Sequence, residues 1–428
     1  MPAYCQIGPD IDGGAIMYTA DKKRERILIL GAAGRDFHNF NVFFRSRPQF
    51  EVVGFTAAQI PDIACRLYPP ELSGELYPAG LPIWPEDALE EIIIKCRVDR
   101  CILSYSDLSH EDVMHLAERI LATGTDFGFL GGRNTMLKSK KLMIAVCAVR
   151  TGAGKSQVVR YIADIIPQAG LKAVVVRHPM PYGDLARQAV QRFSSLADLN
   201  AADLTIEERE EYERHIDKGT VVYAGVDYQT ILDQAEREAD VILWDGGNND
   251  TPFFKPDLWI TVADALRPGH EISYYPGETN FLAADLIVIN KANSAAEEDI
   301  ITIQANASRL NPKAGVVVAG SEVTAEDPKA ISGKRVLVVE DGPTITHGEM
   351  AYGAGQVAAR RYNAAEIIDP RPYAVGSLKE IFSKFRHIGR VLPAMGYYPQ
   401  QIKELEETIN KAECDSVIIA SPIDLRRL

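Results

Sequence analysis

A chain of 428 residues is longer than one ordinary hydrophobic core, so we expect two or three domains. Its hydrophobic fraction of 46% is that of an average soluble protein, and its net charge of −13 argues against broad nucleic-acid binding, which needs a basic face. No apolar run is long enough to span a membrane, and the opening residues do not form a secretory signal. The six cysteines lack CxxC spacing, which predicts reduced thiols rather than a zinc site. We therefore predict a cytoplasmic protein with a small-molecule substrate and neither a nucleic-acid nor a membrane partner.

The first part of the chain predicts an arm and then an α/β domain. Residues 1–23 are aperiodic and are expected to form an N-terminal arm. Short apolar runs typical of buried strands occur at 26–30, 50–55 and 99–105. These runs alternate with helical patterns such as 110–123. The alternation predicts a Rossmann-like α/β domain over 24–135.

A second series of strands and helices follows a polar linker. Its candidate strands are 142–149, 172–177, 241–244, 258–262, 286–289 and 315–318. They predict a core over 136–331 with a mainly parallel sheet. Its charged segment 203–218 is interpreted as a solvated helix, although Glu211 could offer a carboxylate to a metal or substrate. Strands at 335–339 and 416–420 and a helix near 399–412 predict a smaller C-terminal α/β region over 332–428.

The strand 142–149 runs directly into a glycine-rich loop. The loop allows backbone N–H groups to turn towards phosphate oxygens at Gly152 and Gly154, while Lys155 adds a positive charge. The Ser156 hydroxyl could bind Mg²⁺, and a helix should begin near Gln157. The predicted nucleotide-binding residues here are Thr151, Gly152, Ala153, Gly154, Lys155, Ser156 and Gln157. The pattern predicts a P-loop NTPase core, with Val149 where the loop usually has its first glycine.

Arg150 lies five residues before Lys155. This is the place of the extra lysine in the deviant phosphate loops of ParA- and MinD-like ATPases. The likeness suggests a cationic residue near the transferring phosphate, reached across a homodimer interface. A structural ion pair is the alternative.

A carboxylate that helps to bind Mg²⁺ should end a later apolar strand of a P-loop enzyme. The run 241–245 ends in Asp245 and is followed by a glycine, which allows close approach of a γ-phosphate. Asp245 and Ser156 are therefore the predicted metal ligands. Asp250 is either a further partner of the site or a residue that caps a turn.

A polar segment at the end of strand 286–289 should read the nucleotide base. Asn290, Lys291 and Asn293 are similar to the Asn-Lys-x-Asp guanine motif, but the fourth position is an amide. A carboxylate accepts both N–H groups of guanine, whereas an amide can match the donor and acceptor of adenine. The segment favours ATP, with GTP left open.

Cationic residues elsewhere could bind a phosphorylated substrate. The candidates are Arg35, Arg177, His178, Arg267 and His270. Arg177 and His178 end a strand, where parallel sheets bind ligands, although an ion pair with Asp184 is the alternative. Arg267 and His270 open the segment 267–280, whose glycines and prolines predict a substrate loop rather than a helix.

Longer strings of residues resemble a known family. They are AVRTGAGKSQ (148–157), VRHPMPYGD (176–184), YAGVDY (223–228), WDGGNND (244–250), RPGHE (267–271), YPGETN (275–280) and SPIDL (421–425). They resemble the cyclic 2,3-diphosphoglycerate synthetase family, whose members are often described as predicted GTPases. The resemblance extends from about residue 26 to the end of the sequence.

The resemblance implies an ATP- and Mg²⁺-dependent synthetase that closes 2,3-diphosphoglycerate into a cyclic phosphoanhydride and releases ADP and phosphate. Arg150, Lys155, Arg177 and Asp245 would then be catalytic, and the cationic candidates would neutralise the substrate phosphates. Two alternatives stay open. One is a regulatory or metal-delivery GTPase of the same P-loop class, and the other is a kinase for another small acid.

Overall fold

The computed structural model describes residues 24–57, 63–178, 183–202, 204–346, 348–395, 399–421 and 425. These form a mixed α/β structure with three mainly parallel sheets, which confirms the predicted fold class. The sheets fall within 25–128, 142–318 and 335–420. The domain boundaries and the Rossmann-like character of the first domain stay predictions. The predicted arm, residues 1–23, lies outside the described residues.

The first sheet is parallel except at one edge. Its stretch contains β1 (Glu25–Leu30), α1 (Arg35–Asn39), β2 (Phe50–Ala57), β3 (Leu67–Tyr68), α2 (Pro70–Ser73), β4 (Leu81–Pro85), α3 (Leu89–Cys96), β5 (Arg100–Leu103), β6 (Leu108–Ser109), α4 (His110–Leu121), β7 (Asp126–Gly128) and α5 (Gly132–Thr135). The strand order is β3-β4-β2-β1-β5-β7, and only β3 and β4 pair in antiparallel fashion. Apolar side chains of β1 are buried on both faces of the sheet, since helices cover each face.

The central sheet positions the phosphate loop. Its stretch contains β8 (Leu142–Ala148), α6 (Lys155–Ile165), β9 (Ala173–Arg177), β10 (Gln191–Phe193), α7 (Leu196–Ala201), α8 (Ile206–Asp217), β11 (Val221–Ala224), α9 (Tyr228–Glu238), β12 (Val241–Asp245), β13 (Leu258–Asp264), β14 (Tyr274–Tyr275), α10 (Gly277–Ala283), β15 (Leu286–Asn290), α11 (Glu297–Leu310) and β16 (Gly315–Val318). The strand order is β10-β11-β9-β12-β8-β13-β15-β16, with only β10 antiparallel to its neighbour. The carboxyl ends of β8, β9, β12 and β15 therefore lie at one edge, where α/β sheets bind ligands.

The third sheet is built around one strand. Its stretch contains β17 (Arg335–Asp341), α12 (Gly342–Ile345), α13 (Ala354–Arg361), β18 (Glu366–Ile367), α14 (Ser377–Lys384), β19 (Leu392–Ala394), α15 (Pro399–Lys411) and β20 (Ser416–Ala420). Strand β17 pairs in parallel with β18, β19 and β20. The first and central stretches are also joined, because β6 and β14 form a short antiparallel pair.

Helix α6 begins at Lys155, within two residues of its predicted start near Gln157. Another local prediction was wrong. The segment predicted to be non-helical contains α10, which begins at Gly277. A Cβ atom on Gly277 would lie 2.0 Å from the Val149 carbonyl oxygen, so glycine here allows the helix to pack against the start of the phosphate loop. The need for close packing between α10 and the phosphate loop explains why residue 277 is a glycine.

The cysteines also differ from the prediction at one position. Cys96, Cys101, Cys147 and Cys414 are free thiols, whereas Cys65 is in a disulfide. The expectation of six reduced thiols was therefore wrong, and the cytoplasmic location stays a prediction. Among the described residues, no helix has both the length and the apolar character needed to cross a membrane.

Candidate active site

The phosphate loop connects β8 to α6 with two glycines in the left-handed region. Gly152 has φ +80° and Gly154 has φ +100°. A Cβ atom at Gly154 would lie 2.1 Å from the Asn290 side-chain nitrogen. The loop therefore needs glycine both for its backbone conformation and for the close approach of β15.

Residues at the end of β15 hold this loop from outside. The Asn290 side chain donates a hydrogen bond of 3.0 Å to the Ala153 carbonyl. Lys291 Nζ donates a bond of 2.7 Å to the Gly152 carbonyl and lies 2.7 Å from Asp264 Oδ2. Burial lowers the pKa of Lys291, although the Asp264 charge opposes that effect. Two predicted base-reading residues thus fix the shape of the phosphate loop.

Asn293, the third predicted base-reading residue, contacts another loop. Its Oδ1 accepts a bond of 2.8 Å from the Ser321 backbone N–H, and its Nδ2 donates to the Ser321 carbonyl at 3.3 Å. The Ser321 hydroxyl donates to Gln157 Oε1 at 2.9 Å. Since the Asn293 amide is engaged with backbone, the preference for ATP stays a prediction that nucleotide binding must test.

A network of positively and negatively charged side chains lies at the carboxyl ends of β9 and β12. Lys155 Nζ is paired with Asp245 Oδ1, and Arg177 Nη1 lies 2.5 Å from Asp245 Oδ2. Arg177 Nη2 lies 2.5 Å from Glu211 Oε2, and His215 Nε2 is 3.9 Å from Asp245 Oδ2. Burial alone would raise the pKa of Asp245, but the charges of Arg177 and Lys155 hold it well below its usual range. Asp245 is therefore an ionised carboxylate in the folded protein.

A cavity of about 320 Å³ opens between the phosphate loop and the third sheet. Predicted site residues that line it are Arg150, Thr151, Gly152, Gly154, Lys155, Ser156, Gln157, Arg177 and Lys291. Other lining residues with charged or polar side chains are Arg160, Glu210, Glu211, Asn248, Ser294, Ser321, Glu340, Asp341, Thr344 and Tyr352. Strand β17 and helix α12 thus form the wall of the cavity opposite the phosphate loop.

Arg150 is engaged within its own chain. Its Nε lies 3.2 Å from Asp107 Oδ1, and its Nη2 lies 2.9 Å from Glu349 Oε2. The guanidinium also stacks over the Tyr274 ring at 3.8 Å. Arg150 therefore links the phosphate loop to the first and third stretches of the chain. A role across a homodimer interface stays a prediction.

The Arg267 guanidinium contacts backbone carbonyls and one carboxylate. It donates to Thr151 O at 2.6 Å and to Gly348 O at 2.9 Å, and its Nε lies 2.9 Å from Asp264 Oδ2. His270 Nδ1 is 3.4 Å from Arg150 Nη1. Burial, aided by the charges of Arg267 and Arg150, lowers the pKa of His270 to about 4, so this side chain is neutral at neutral pH. Neither residue lines the cavity.

Arg35 and His178 meet at a second carboxylate, Asp250. Arg35 Nε is 3.8 Å from Asp250 Oδ1, and His178 Nε2 is 3.2 Å from Asp250 Oδ2. Arg35 also donates to the Thr251 carbonyl and stacks on Phe253 at 4.7 Å. Burial lowers the pKa of His178 to about 4. This cluster joins the first and central sheets and is not part of the cavity lining. A substrate role for either residue stays a prediction.

Helix α8 is not the solvated helix expected from its charge. Glu208, Glu210, Glu213 and His215 are all less than 5% exposed. The helix packs against α7 and β11, and Glu211 contacts Arg177, the last residue of β9. Charge density along a sequence cannot distinguish a solvated face from a buried polar cluster. The interpretation of 203–218 as solvated was therefore wrong.

Comparison with known proteins shows the family. No protein-family model matches the chain. It is 61% identical over 408 residues to the arginine synthetase ArcE of Thermococcus kodakarensis, a match that covers 95% of this chain and 91% of that protein. The chain belongs to the ArcE family.

Two further proteins are less similar to the chain. One matches only a quarter of it, and the other matches more of it at low identity. A cyclic 2,3-diphosphoglycerate synthetase of Thermococcus sibiricus is 32% identical over 109 residues, which is 25% of this chain and 24% of that protein. The resemblance to that family is thus shown for a quarter of the chain. The solved structure of LpxK from Aquifex aeolicus in complex with ATP has a TM-score of 0.33 and 13% identity, and covers 65% of this chain and 81% of LpxK.

Several residues around the site were not indicated as candidates by the sequence. Asn249 Nδ2 donates to the Val149 carbonyl at 3.0 Å, and Asn280 Nδ2 donates to the Ala148 carbonyl at 3.2 Å. Both asparagines lie inside the family-like strings WDGGNND and YPGETN, which could have indicated them. Nothing local indicated Asp341, because it reaches the cavity only through the packing of the third sheet.

Residues at the cavity of this chain fit a magnesium ion held together with nucleotide phosphates. A hydroxyl and a carboxylate, Ser156 and Asp245, are the hard oxygen ligands that Mg²⁺ prefers. Ser156 lines the cavity, and Asp245 adjoins it through the ion pair with the cavity residue Lys155. Within the described part of the chain, no group of three or more His, Cys, Asp or Glu residues could hold a metal ion.

Proposed function

We propose that the protein is an ATP-dependent synthetase that forms arginine. The observation that carries the proposal is the 61% identity to the arginine synthetase ArcE over 95% of the chain. The phosphate loop and the charged cavity support it, because a synthetase couples the formation of a bond to cleavage of a nucleotide triphosphate. The cavity of about 320 Å³ lies directly against that loop.

The chemistry of the product suggests the reaction. A guanidinium is formed from a ureido group when nitrogen replaces the ureido oxygen, and that oxygen is a poor leaving group. Transfer of the γ-phosphoryl group to the oxygen would release ADP and give a phosphorylated isourea. The lone pair of ammonia would then attack the carbon, the C–O bond would break, and phosphate would leave as nitrogen loses a proton. Citrulline is the amino acid with this ureido group.

The residues of the phosphate loop suit the first transfer. Backbone N–H groups at Gly152 to Ser156 would bind the β- and γ-phosphates, and Lys155 would neutralise charge on the transferring group. Mg²⁺ held by Ser156 and Asp245 would supply further charge neutralisation. For that arrangement Lys155 must exchange its contact with Asp245 for phosphate oxygens. Arg177 keeps Asp245 ionised throughout.

The cyclic 2,3-diphosphoglycerate synthetase activity implied by the sequence strings is the second candidate. It is supported by the relative that is 32% identical over 109 residues. We rank it below arginine formation because that match covers 25% of the chain, against 95% for ArcE. Arg35 and His178, which were predicted to neutralise its substrate phosphates, are paired with Asp250 instead.

One set of incubations separates the candidates. The full-length chain is mixed with Mg²⁺, ATP or GTP, and either citrulline with ammonium or 2,3-diphosphoglycerate. We expect arginine and ADP in equal amounts in the citrulline mixture with ATP. If the ³¹P NMR spectrum of the 2,3-diphosphoglycerate mixture shows the cyclic product and the citrulline mixture contains no arginine, the second candidate is correct and the proposal is refuted. Nucleotide hydrolysis without either product would favour a regulatory GTPase or a kinase for another acid.

A further inference from the structure

The cavity contains an arginine that phosphate binding by the loop does not explain. Arg160 lies on α6, one turn after the residues of the phosphate loop, and lines the cavity. In the described structure it forms no direct ion pair, and Asp245 and Glu211 act on it only through space. Burial lowers its pKa, so the site favours an anion that would offset this cost. An anionic group of a ligand is the natural partner of this guanidinium.

Carboxyl groups form the opposite wall of the same space. Asp341 ends β17 and caps α12 by accepting a bond of 3.2 Å from the Thr344 backbone N–H. Burial raises the pKa of Asp341, and the nearby charge of Glu211 raises it further. This wall adjoins the phosphate loop, since a Cβ atom on Gly152 would lie 3.4 Å from Thr344 Cγ2. Arg177 contacts one oxygen of Glu211, and a second cation placed between Glu211 and Asp341 would offset the repulsion between the two carboxylates.

Thr151 gives an independent indication of a ligand. Its side chain is 8% exposed and lines the cavity. Its buried hydroxyl lies beside the Asp107 carboxylate but has no hydrogen bond of good geometry within the described part of the chain. Buried hydroxyl groups are almost always well hydrogen-bonded, so a bound molecule would improve the bonding of this one.

We propose that Arg160, Glu211 and Asp341 form a subsite for the zwitterionic end of an amino acid. Arg160 binds the α-carboxylate, and Glu211 and Asp341 bind the α-ammonium group. All three side chains line the same cavity, so charges of opposite sign face one space. The charge of Glu211 also acts on both Arg160 and Asp341. That arrangement matches an amino acid, whose two charges are attached to one carbon. The side chain of the substrate then extends to the phosphate loop.

This inference rests on the proposed function, and a comparison of two ligands tests it. Arginine and agmatine differ only in the α-carboxylate, and each is titrated calorimetrically into the full-length chain. Wild-type protein should bind arginine more tightly than agmatine. Arg160→Gln should weaken arginine binding about 10-fold or more and leave agmatine binding nearly unchanged, because one charge-assisted contact is lost. Arg160→Lys should restore part of the preference for arginine.

A second variant tests the carboxyl wall, and a surface variant is the control. Asp341→Asn should weaken the binding of arginine and agmatine, but not of 5-guanidinopentanoate, which lacks the ammonium group. Arg187→Gln, at a side chain that is 89% exposed, should bind every ligand like the wild type. Retained ATP binding shows that a variant is folded.

The outcomes separate the subsite from the proposed function. If wild-type protein binds arginine and Arg160→Gln weakens neither ligand or both equally, the subsite is refuted while arginine synthesis stands. If wild-type protein binds neither arginine nor citrulline but binds ATP, the proposed function is refuted, and the subsite with it.

Discussion

Replacement of Lys155 by alanine tests the role of the phosphate loop most directly. The amine of Lys155 is the group expected to neutralise the transferring phosphoryl group, and loss of one such contact lowers turnover by about 10²–10³-fold. The same change removes one cationic partner of Asp245, a residue that is 0% exposed. Lys155→Ala should therefore affect both catalysis and stability.

The size of the stability effect follows from what remains around Asp245. Breaking a buried ion pair outright costs about 3–5 kcal/mol. Here Arg177 Nη1 still lies 2.5 Å from Asp245 Oδ2, so the carboxylate keeps a cationic neighbour. We expect a loss of about 1–2 kcal/mol in the free energy of unfolding, below the cost of an unpaired buried charge. Lys172→Ala is the matched control, because that lysine is 56% exposed in a surface pair with Glu238, and it should change stability by less than about 0.5 kcal/mol.

Two measurements are needed. Phosphate release in the complete reaction mixture gives turnover, and urea unfolding followed by circular dichroism gives stability. Turnover of Lys155→Ala within tenfold of the wild type would refute the assignment of the phosphate loop. Stability equal to that of the control would refute the ion pair with Asp245. A double change that also replaces Arg177 by alanine should destabilise the fold by more than the sum of the single changes.

Three further predictions concern residues around the loop and the first sheet. Asn290→Ala removes the bond to the Ala153 carbonyl and should weaken ATP binding about 3- to 10-fold in a calorimetric titration, and an unchanged Kd would contradict this role. Burial raises the pKa of Asp36 from 3.8 to about 7, so the folded protein holds a proton that the unfolded chain releases. The free energy of unfolding should then fall as pH rises from about 4 to about 7, and Asp36→Asn should reduce this slope; equal slopes in urea unfolding would count against it. Asn293→Asp should leave the ATP-to-GTP affinity ratio unchanged, because the side chain contacts the Ser321 backbone, and a shift towards GTP would show that it reads the base after all.

Much of the fold could be predicted because it depends on local patterns. Buried strands such as β8 and β12 are continuous apolar runs, and their period and length indicate parallel strands covered on both faces. The phosphate loop could be predicted equally well, because its glycines, its lysine and its serine all lie within a few residues of one another and the loop conformation requires those glycines. The density of charged residues predicted exposure poorly, because the acidic helix α8 is buried by tertiary packing that the local sequence does not indicate.

The partners of the candidate residues depended on the tertiary structure. Asn290 and Lys291 bind the phosphate loop itself, and Arg150 is paired with Asp107 and Glu349, which lie 43 and 199 positions away. Contacts over such separations follow from how three sheets pack, and no spacing rule predicts them. The clusters around Asp245 and Asp250 adjoin at the consecutive residues Arg177 and His178, which pair with different carboxylates.

By itself, then, the sequence determined the class of the protein and its phosphate-binding element. Those features depend on short-range chemistry: the backbone freedom of glycine, the charge of one lysine and the apolar period of a strand. Only the tertiary structure brought β17 and α12 against the phosphate loop and placed Arg160, Glu211 and Asp341 around one cavity. The reason is physical, because a substrate site is formed by side chains from distant segments, and its charges are set by burial and by neighbours in space.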